Sequence, residues 1–259
     1  MNQTFSIKRF SMLSKKHLAE NYKTYLMSAG VMLGLLLIVF GISSYGNNGV
    51  LQINMQSSNF TIFMLMGGSI FTSLIFADLG NKKEAIPALT LPASSFEKFL
   101  VNWIVSFLIF QIVFIVIFYF VAVVVISFGK RIPGQQNTLL NVFSDDTKAW
   151  YTFIIYIVLQ SVTFFGAIYF EKLHFVKTAF AFFIGVFLLG ILNKPIITSM
   201  FSRNVMGTTI FSPISITEKD KAFTIHANDI KNYQEGIVLG LVVLILWISA
   251  YYRLKEKEV

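Results

Sequence analysis

Apolar residues gather in six runs along this chain, at 24–44, 60–80, 99–128, 149–170, 175–192 and 236–252, with polar and charged residues between them. A bilayer core of about 30 Å takes roughly 20 helical residues at 1.5 Å each, so each run predicts a membrane-spanning helix. Strands of a membrane barrel are about 10 residues long and alternate apolar with polar. The stretch 112–126 is apolar at every position, which favours a helix. The pattern therefore predicts an all-α integral membrane protein with six transmembrane helices, forming a single transmembrane domain over 1–259. The third run is long: thirty residues make roughly 45 Å of helix, so it must tilt, bend or project beyond the membrane.

The segments between the runs have patterns of their own. Before the first run, Phe5, Ile7, Phe10, Met12, Leu13 and Leu18 mix with Lys8, Arg9, Lys15 and Lys16, which predicts an amphipathic helix over 1–23 lying on the membrane surface. Asn47-Asn48-Gly49 is a turn signal. Asp145, Asp146 and Thr147 stand where they can cap the fourth span. In the long loop 193–235, residues 211–217 and 222–227 alternate apolar with polar around Glu218-Lys219-Asp220-Lys221, the pattern of a short external hairpin. No internal repeat is visible.

Composition agrees with lipid as the solvent. Hydrophobic residues make up 55% of the chain, 28 of them Phe, and charged residues 13%. A soluble domain carries about 25% charged residues, so a soluble enzyme, a disordered chain and a coiled coil are all excluded. The net charge of +8 sits in clusters between apolar runs and reads as membrane topology, with no nucleic-acid partner. With the N-terminus inside, thirteen of the 21 Lys and Arg fall on the cytoplasmic side, and the other eight lie mostly in longer loops. Both termini are expected in the cytoplasm, in a bacterial plasma membrane.

Candidate chemistry is sparse. There are no cysteines, and the three histidines, His17, His174 and His226, fall in different segments, so neither a metal site nor a cofactor is expected. No His-Glu-x-x-His, Gly-x-Ser-x-Gly or phosphate-binding loop occurs, and the chain is not expected to be an enzyme. Gly67-Gly68-Ser69 reads as small residues that let another helix approach. Span centres are almost free of charge, and Asp78 lies near the end of its run, so an ion-coupling relay is not evident. Asn102, Ser106, Gln111, Gln160, Ser161 and Thr163 are the polar residues within spans, suited to hydrogen bonds between helices. Energy for any active transport is then expected from another subunit.

One link has a distinct pattern. In 81–98, Pro87 suits the first turn of a short helix, Pro92 ends it, and Ser94 with Glu97 forms a capping box that opens the third span. The stretch resembles the link after the second span of ABC-2 type transporter permeases, which read Glu-x-Gly-Thr, then Thr-Pro-Val-Ser, then charged residues. Glu84 falls on the acidic position, Leu91-Pro92-Ala93-Ser94 on the proline-serine position, and Glu97-Lys98 on the charged run-in; Ala85-Ile86-Pro87 replaces the Gly-Thr pair. The order of segments along the whole chain is also similar to that family.

The resemblance implies a permease subunit that forms the translocation path of an exporter. It implies two such subunits, as a homodimer or heterodimer, driven by a separate ATP-binding-cassette ATPase. The link would be the coupling helix, touching the ATPase through Glu84, Ile86, Pro87, Leu89, Leu91 and Pro92. The rival expectations are a membrane scaffold or regulatory subunit without a path, and an ion-coupled carrier.

Overall fold

The computed structural model describes residues 5–76, 93–129, 137–170, 173–201, 205–206, 214–218, 221–225 and 230–257. Helix α1 runs Ile7–Gly46, α2 Ile53–Ile75, α3 Ser95–Ile104, α4 Phe110–Phe128, α5 Tyr151–Tyr169, α6 His174–Phe201 and α7 Ile230–Lys257. A π turn, Val105–Ile109, joins α3 to α4 without a break, so the pair forms one long rod. Counted that way, six helices among the described residues are long and apolar enough to cross a membrane. The class is all-α, and the chain is a multi-pass membrane protein. Between α6 and α7, short strands β1 (Val205–Met206), β2 (Ile214–Glu218) and β3 (Lys221–Ile225) pair antiparallel in the order β1-β2-β3.

Several boundaries differ from the sequence reading. The surface segment and the first span are one uninterrupted helix, α1, rather than two elements. No Gly or Pro separates them before Gly30, so nothing stops the helix at residue 23. Helix α6 continues past residue 192 to Phe201 with Pro195 inside it. Proline deprives one carbonyl of its helical partner but does not oblige the helix to end. Asp145, Asp146 and Thr147 do not cap α5, which starts after Trp150 with no side-chain cap. They serve the local turn instead: Asp146 N–H donates to Ser144 Oγ at 3.3 Å, and the Thr147 hydroxyl to the Asn141 carbonyl at 3.4 Å.

Helix α5 is the axis of the bundle. It packs against α2, α6 and α7, and half of its apolar stretch is buried, whereas α6 has 6% of its own buried and stands at the rim. Close approach to α2 rests on Gly68: a Cβ there would overlap the Tyr156 ring and lie 2.9 Å from Phe110. Phe40, Phe60, Phe114 and Phe118 fill the core between α1, α2 and α4, with Phe60 and Phe118 edge to face at 5.1 Å. A second cluster, Phe76, Phe99, Phe164, Ala167, Ile168, Ala250 and Leu254, closes the end that holds the start of α1.

That end is called the near end here. It gathers the starts of α1, α3 and α6 and the ends of α2, α5 and α7. At the far end the chain turns at Asn47-Asn48-Gly49, where Asn48 and Gly49 take positive φ of 56° and 91°. Buried Gln56 then ties two loops together. Its Nε2 donates to the Leu51 and Thr138 carbonyls at 3.1 and 2.9 Å, and its Oε1 accepts from Leu140 N–H at 2.9 Å.

Candidate functional site

The six proposed contact residues, Glu84, Ile86, Pro87, Leu89, Leu91 and Pro92, lie outside the described residues, as does Asp78. The segment that carries them rejoins the described chain at Ala93, at the near end. There Ser94 Oγ accepts from Glu97 N–H at 3.2 Å, and Glu97 Oε2 accepts from Ser94 N–H at 3.0 Å, a reciprocal capping box at the start of α3.

Glu97 does more than cap. Its carboxylate is completely buried, and a buried charge is tolerated only when paired and hydrogen-bonded. Oε1 accepts from Ser6 N–H at 2.8 Å and from Arg9 Nη2 at 3.1 Å. One side chain therefore holds the start of α1 against the start of α3. Phe5 meets Phe96 edge-on at 6.1 Å, and Phe96 and Phe99 both meet Tyr251 of α7, so three helices are joined at this point.

About two turns further along lies the π turn. Phe110 N–H, which in an unbroken α-helix would reach the Ser106 carbonyl, bonds the Val105 carbonyl instead. The Tyr156 hydroxyl from α5 donates to the Ser106 carbonyl at 2.7 Å. Gln160 Nε2 donates to Ser106 Oγ at 3.0 Å, and Trp247 Nε1 of α7 donates to Gln160 Oε1 at 3.1 Å. Ser106, Tyr156 and Gln160 are fully buried. In an apolar bundle this chain of bonds fixes the relative rotation of three helices. Thr163 and Ser161, by contrast, bond carbonyls of their own helix. Asn102 Oδ1 is buried without a hydrogen-bond partner among the described residues.

Beside the π turn, whose Val105 and Ile109 are in its lining, a cleft of about 700 Å³ opens between α1, α2 and α4. Met32, Gly67, Phe110 and Phe114 line its inner wall, and exposed Leu26, Val31, Leu35, Ile62, Met66 and Ile70 form its lips. The mouth therefore faces sideways, toward the membrane interior. The missing side chain at Gly67 leaves room here, since a Cβ would sit 2.5 Å from Met32 Cε.

Of the residues singled out in the sequence, the structure brings Ser94 to Glu97 and Ser106 to Gln160. Arg9, Gln56, Tyr156 and Trp247 were not singled out individually as site residues. Arg9 lies 88 positions from Glu97, and no local spacing links them. Among the described residues, no group of three metal-ligating side chains occurs. No protein-family model, curated protein or solved structure matches the chain.

Proposed function

We propose that this chain is the permease subunit of an ABC-2 type exporter. It would pair with a second permease subunit, as a homodimer or heterodimer, and be driven by a separate ATP-binding-cassette ATPase. In this reading it lies in a bacterial plasma membrane with the near end, and so both termini, in the cytoplasm. The paired strands β1–β3 lie on the opposite face.

The observation that carries the reading is the anchorage of the coupling segment. A short helix transmits force only if its attachment does not yield. The segment enters α3 through a capping box whose glutamate is also fixed to α1 by an ion pair and a backbone hydrogen bond. A push on the segment would move the first and third spans together. The chain of bonds at the π turn would carry that motion on to α5 and α7.

The test is purification of the full chain in mild detergent from its native host, with identification of what accompanies it. A co-purifying ATPase supports the reading. Substituting Leu89→Asp should then leave membrane insertion intact and abolish the coupling of ATP hydrolysis to transport. Full coupled transport in that variant would remove the assigned contact. Transport driven by an ion gradient in vesicles holding this chain alone would replace the reading with a carrier. If no ATPase is recovered after crosslinking and no substrate moves, a scaffold is left.

A further inference from the structure

We infer that the cleft between α1, α2 and α4 holds an anionic phospholipid, with acyl chains in the cleft and the headgroup over the first turns of α1. This does not depend on the exporter reading, because a resident lipid is bound whether or not anything is transported.

The cleft supplies the apolar half of the match. Its α2 wall runs from Ile62 to Leu74 and its wall along the π turn and α4 from Val105 to Ile117, thirteen residues each, roughly 18 Å of helix. It opens sideways between exposed apolar residues, where water has no access and an acyl chain is the available filling. Polar groups gather toward one end. Leu18, Tyr22 and Tyr25 line the cleft nearest the start of α1, and the Tyr25 hydroxyl bonds His17 Nε2 at 2.6 Å. Tyrosines at one end of an apolar surface mark the level of the headgroups.

Charge supplies the other half. Lys15, Leu18, Tyr22, Tyr25, Ala29 and Met32 follow one another at alternating spacings of three and four, so they form one stripe along α1. Lys8 is seven residues before Lys15 on the same stripe. The lining of the cleft therefore continues directly into exposed lysines. Over residues 7–28, α1 carries Lys8, Arg9, Lys15, Lys16 and Lys23 against the single acid Glu20. Arg9 is engaged by Glu97, Lys16 by Glu20, and Lys23 Nζ lies over the Tyr22 ring at 6.0 Å, which leaves Lys8 and Lys15 on the stripe to face a headgroup. Clusters of lysine beside an apolar groove select anionic over zwitterionic lipid. They also disfavour a second copy of this chain as the occupant. A two-fold interface across the cleft would bring the stripe onto its own image, lysine against lysine.

The experiment is native mass spectrometry of the full chain in mild detergent with phosphatidylglycerol or phosphatidylethanolamine of matched acyl chains. Phosphatidylglycerol should be retained preferentially. Lys8→Gln and Lys15→Gln should each weaken it by about fivefold and leave phosphatidylethanolamine unchanged. Ala29→Phe combined with Met66→Trp should lower retention of both lipids. Equal retention of the two lipids by the unaltered chain would overturn the inference, as would lysine variants that bind phosphatidylglycerol normally. The lysine variants are surface changes, so they decide the matter even if the cleft-filling pair fails to fold. Met66→Cys introduces the only thiol in the chain. If it forms a disulfide-linked dimer in native membranes, a second copy covers the cleft and the lipid assignment is wrong.

Discussion

Arg9 Nη2 and Glu97 Oε1 lie 3.1 Å apart, with the carboxylate fully buried and the arginine side chain about one-third exposed. The two partners are therefore unequal. Removing the guanidinium leaves a buried anion with two backbone donors, whereas removing the carboxylate leaves a cation that water already reaches. Truncating one partner of a hydrogen-bonded charge pair costs about 2–5 kcal/mol, much of it from the group left behind. Arg9→Ala should fall within this range. Glu97→Gln should cost less, because glutamine keeps an acceptor for the capping box. Thermal unfolding in detergent of both single variants and the double variant gives the coupling. If the energies simply add, the ion pair does not join α1 to α3.

The hydrogen bond from Tyr156 to the Ser106 carbonyl yields a second expectation. Tyr156→Phe keeps the ring between Phe107 and Phe110 but removes the donor. A buried carbonyl left without its partner costs about 1–3 kcal/mol. The loss should show as a lower unfolding midpoint with faster amide exchange confined to 105–111. A variant as stable as the parent, with unchanged exchange there, would mean that the π turn persists without Tyr156.

Glycines test the packing of α2 on α5. A Cβ at Gly68 meets Tyr156 and Phe110, whereas one at Gly185 on α6 meets nothing within 4 Å. Gly68→Ala should destabilise the bundle by about 1–3 kcal/mol through overpacking. Gly185→Ala should be neutral or stabilising by up to about 1 kcal/mol, since alanine favours helix. If the two variants shift the midpoint equally, α2 and α5 do not approach as closely as described.

The spans were legible because a helix in lipid must be apolar over a length that lipid dictates, and six runs satisfied that requirement. The Ser94 and Glu97 capping box was legible because its partners are three residues apart. The ends of the helices were less so. Nothing between Asn21 and Tyr25 distinguishes a helix that continues from one that turns along the surface, and the fifth apolar run ends at residue 192 although the helix goes on through Pro195 to Phe201. The site depends on residues distant in sequence. Val105–Ile109 carries no local mark of a π turn, and Ser106 finds Tyr156 fifty positions away. The cleft is a product of three helices and is absent from any one of them.

Gln56 provides the last expectation. It is a fully buried amide that uses both ends: two carbonyls accept from its nitrogen, and the Leu140 N–H donates to its oxygen. The loop it holds is also fixed by Asn137, whose Oδ1 accepts from Leu51 N–H at 3.0 Å, and by Tyr119, whose hydroxyl donates to the Leu140 carbonyl at 2.9 Å. Gln56→Leu fills a similar volume but leaves one donor and two acceptors without the partner they had. The cost is about 1–3 kcal/mol for each group that stays buried and unsatisfied. Because the loop can open to water, the total should stay below the sum. Local opening should follow, with amide exchange at 138–142 accelerated at least tenfold, while residues around Glu97 at the near end keep their protection. Gln56→Glu sharpens the test. An ionised carboxylate can still accept from Leu140 but meets two carbonyls at close range, so it should open the loop further than leucine does. If both variants leave exchange at 138–142 unchanged, the loop is held by Asn137 and Tyr119 alone.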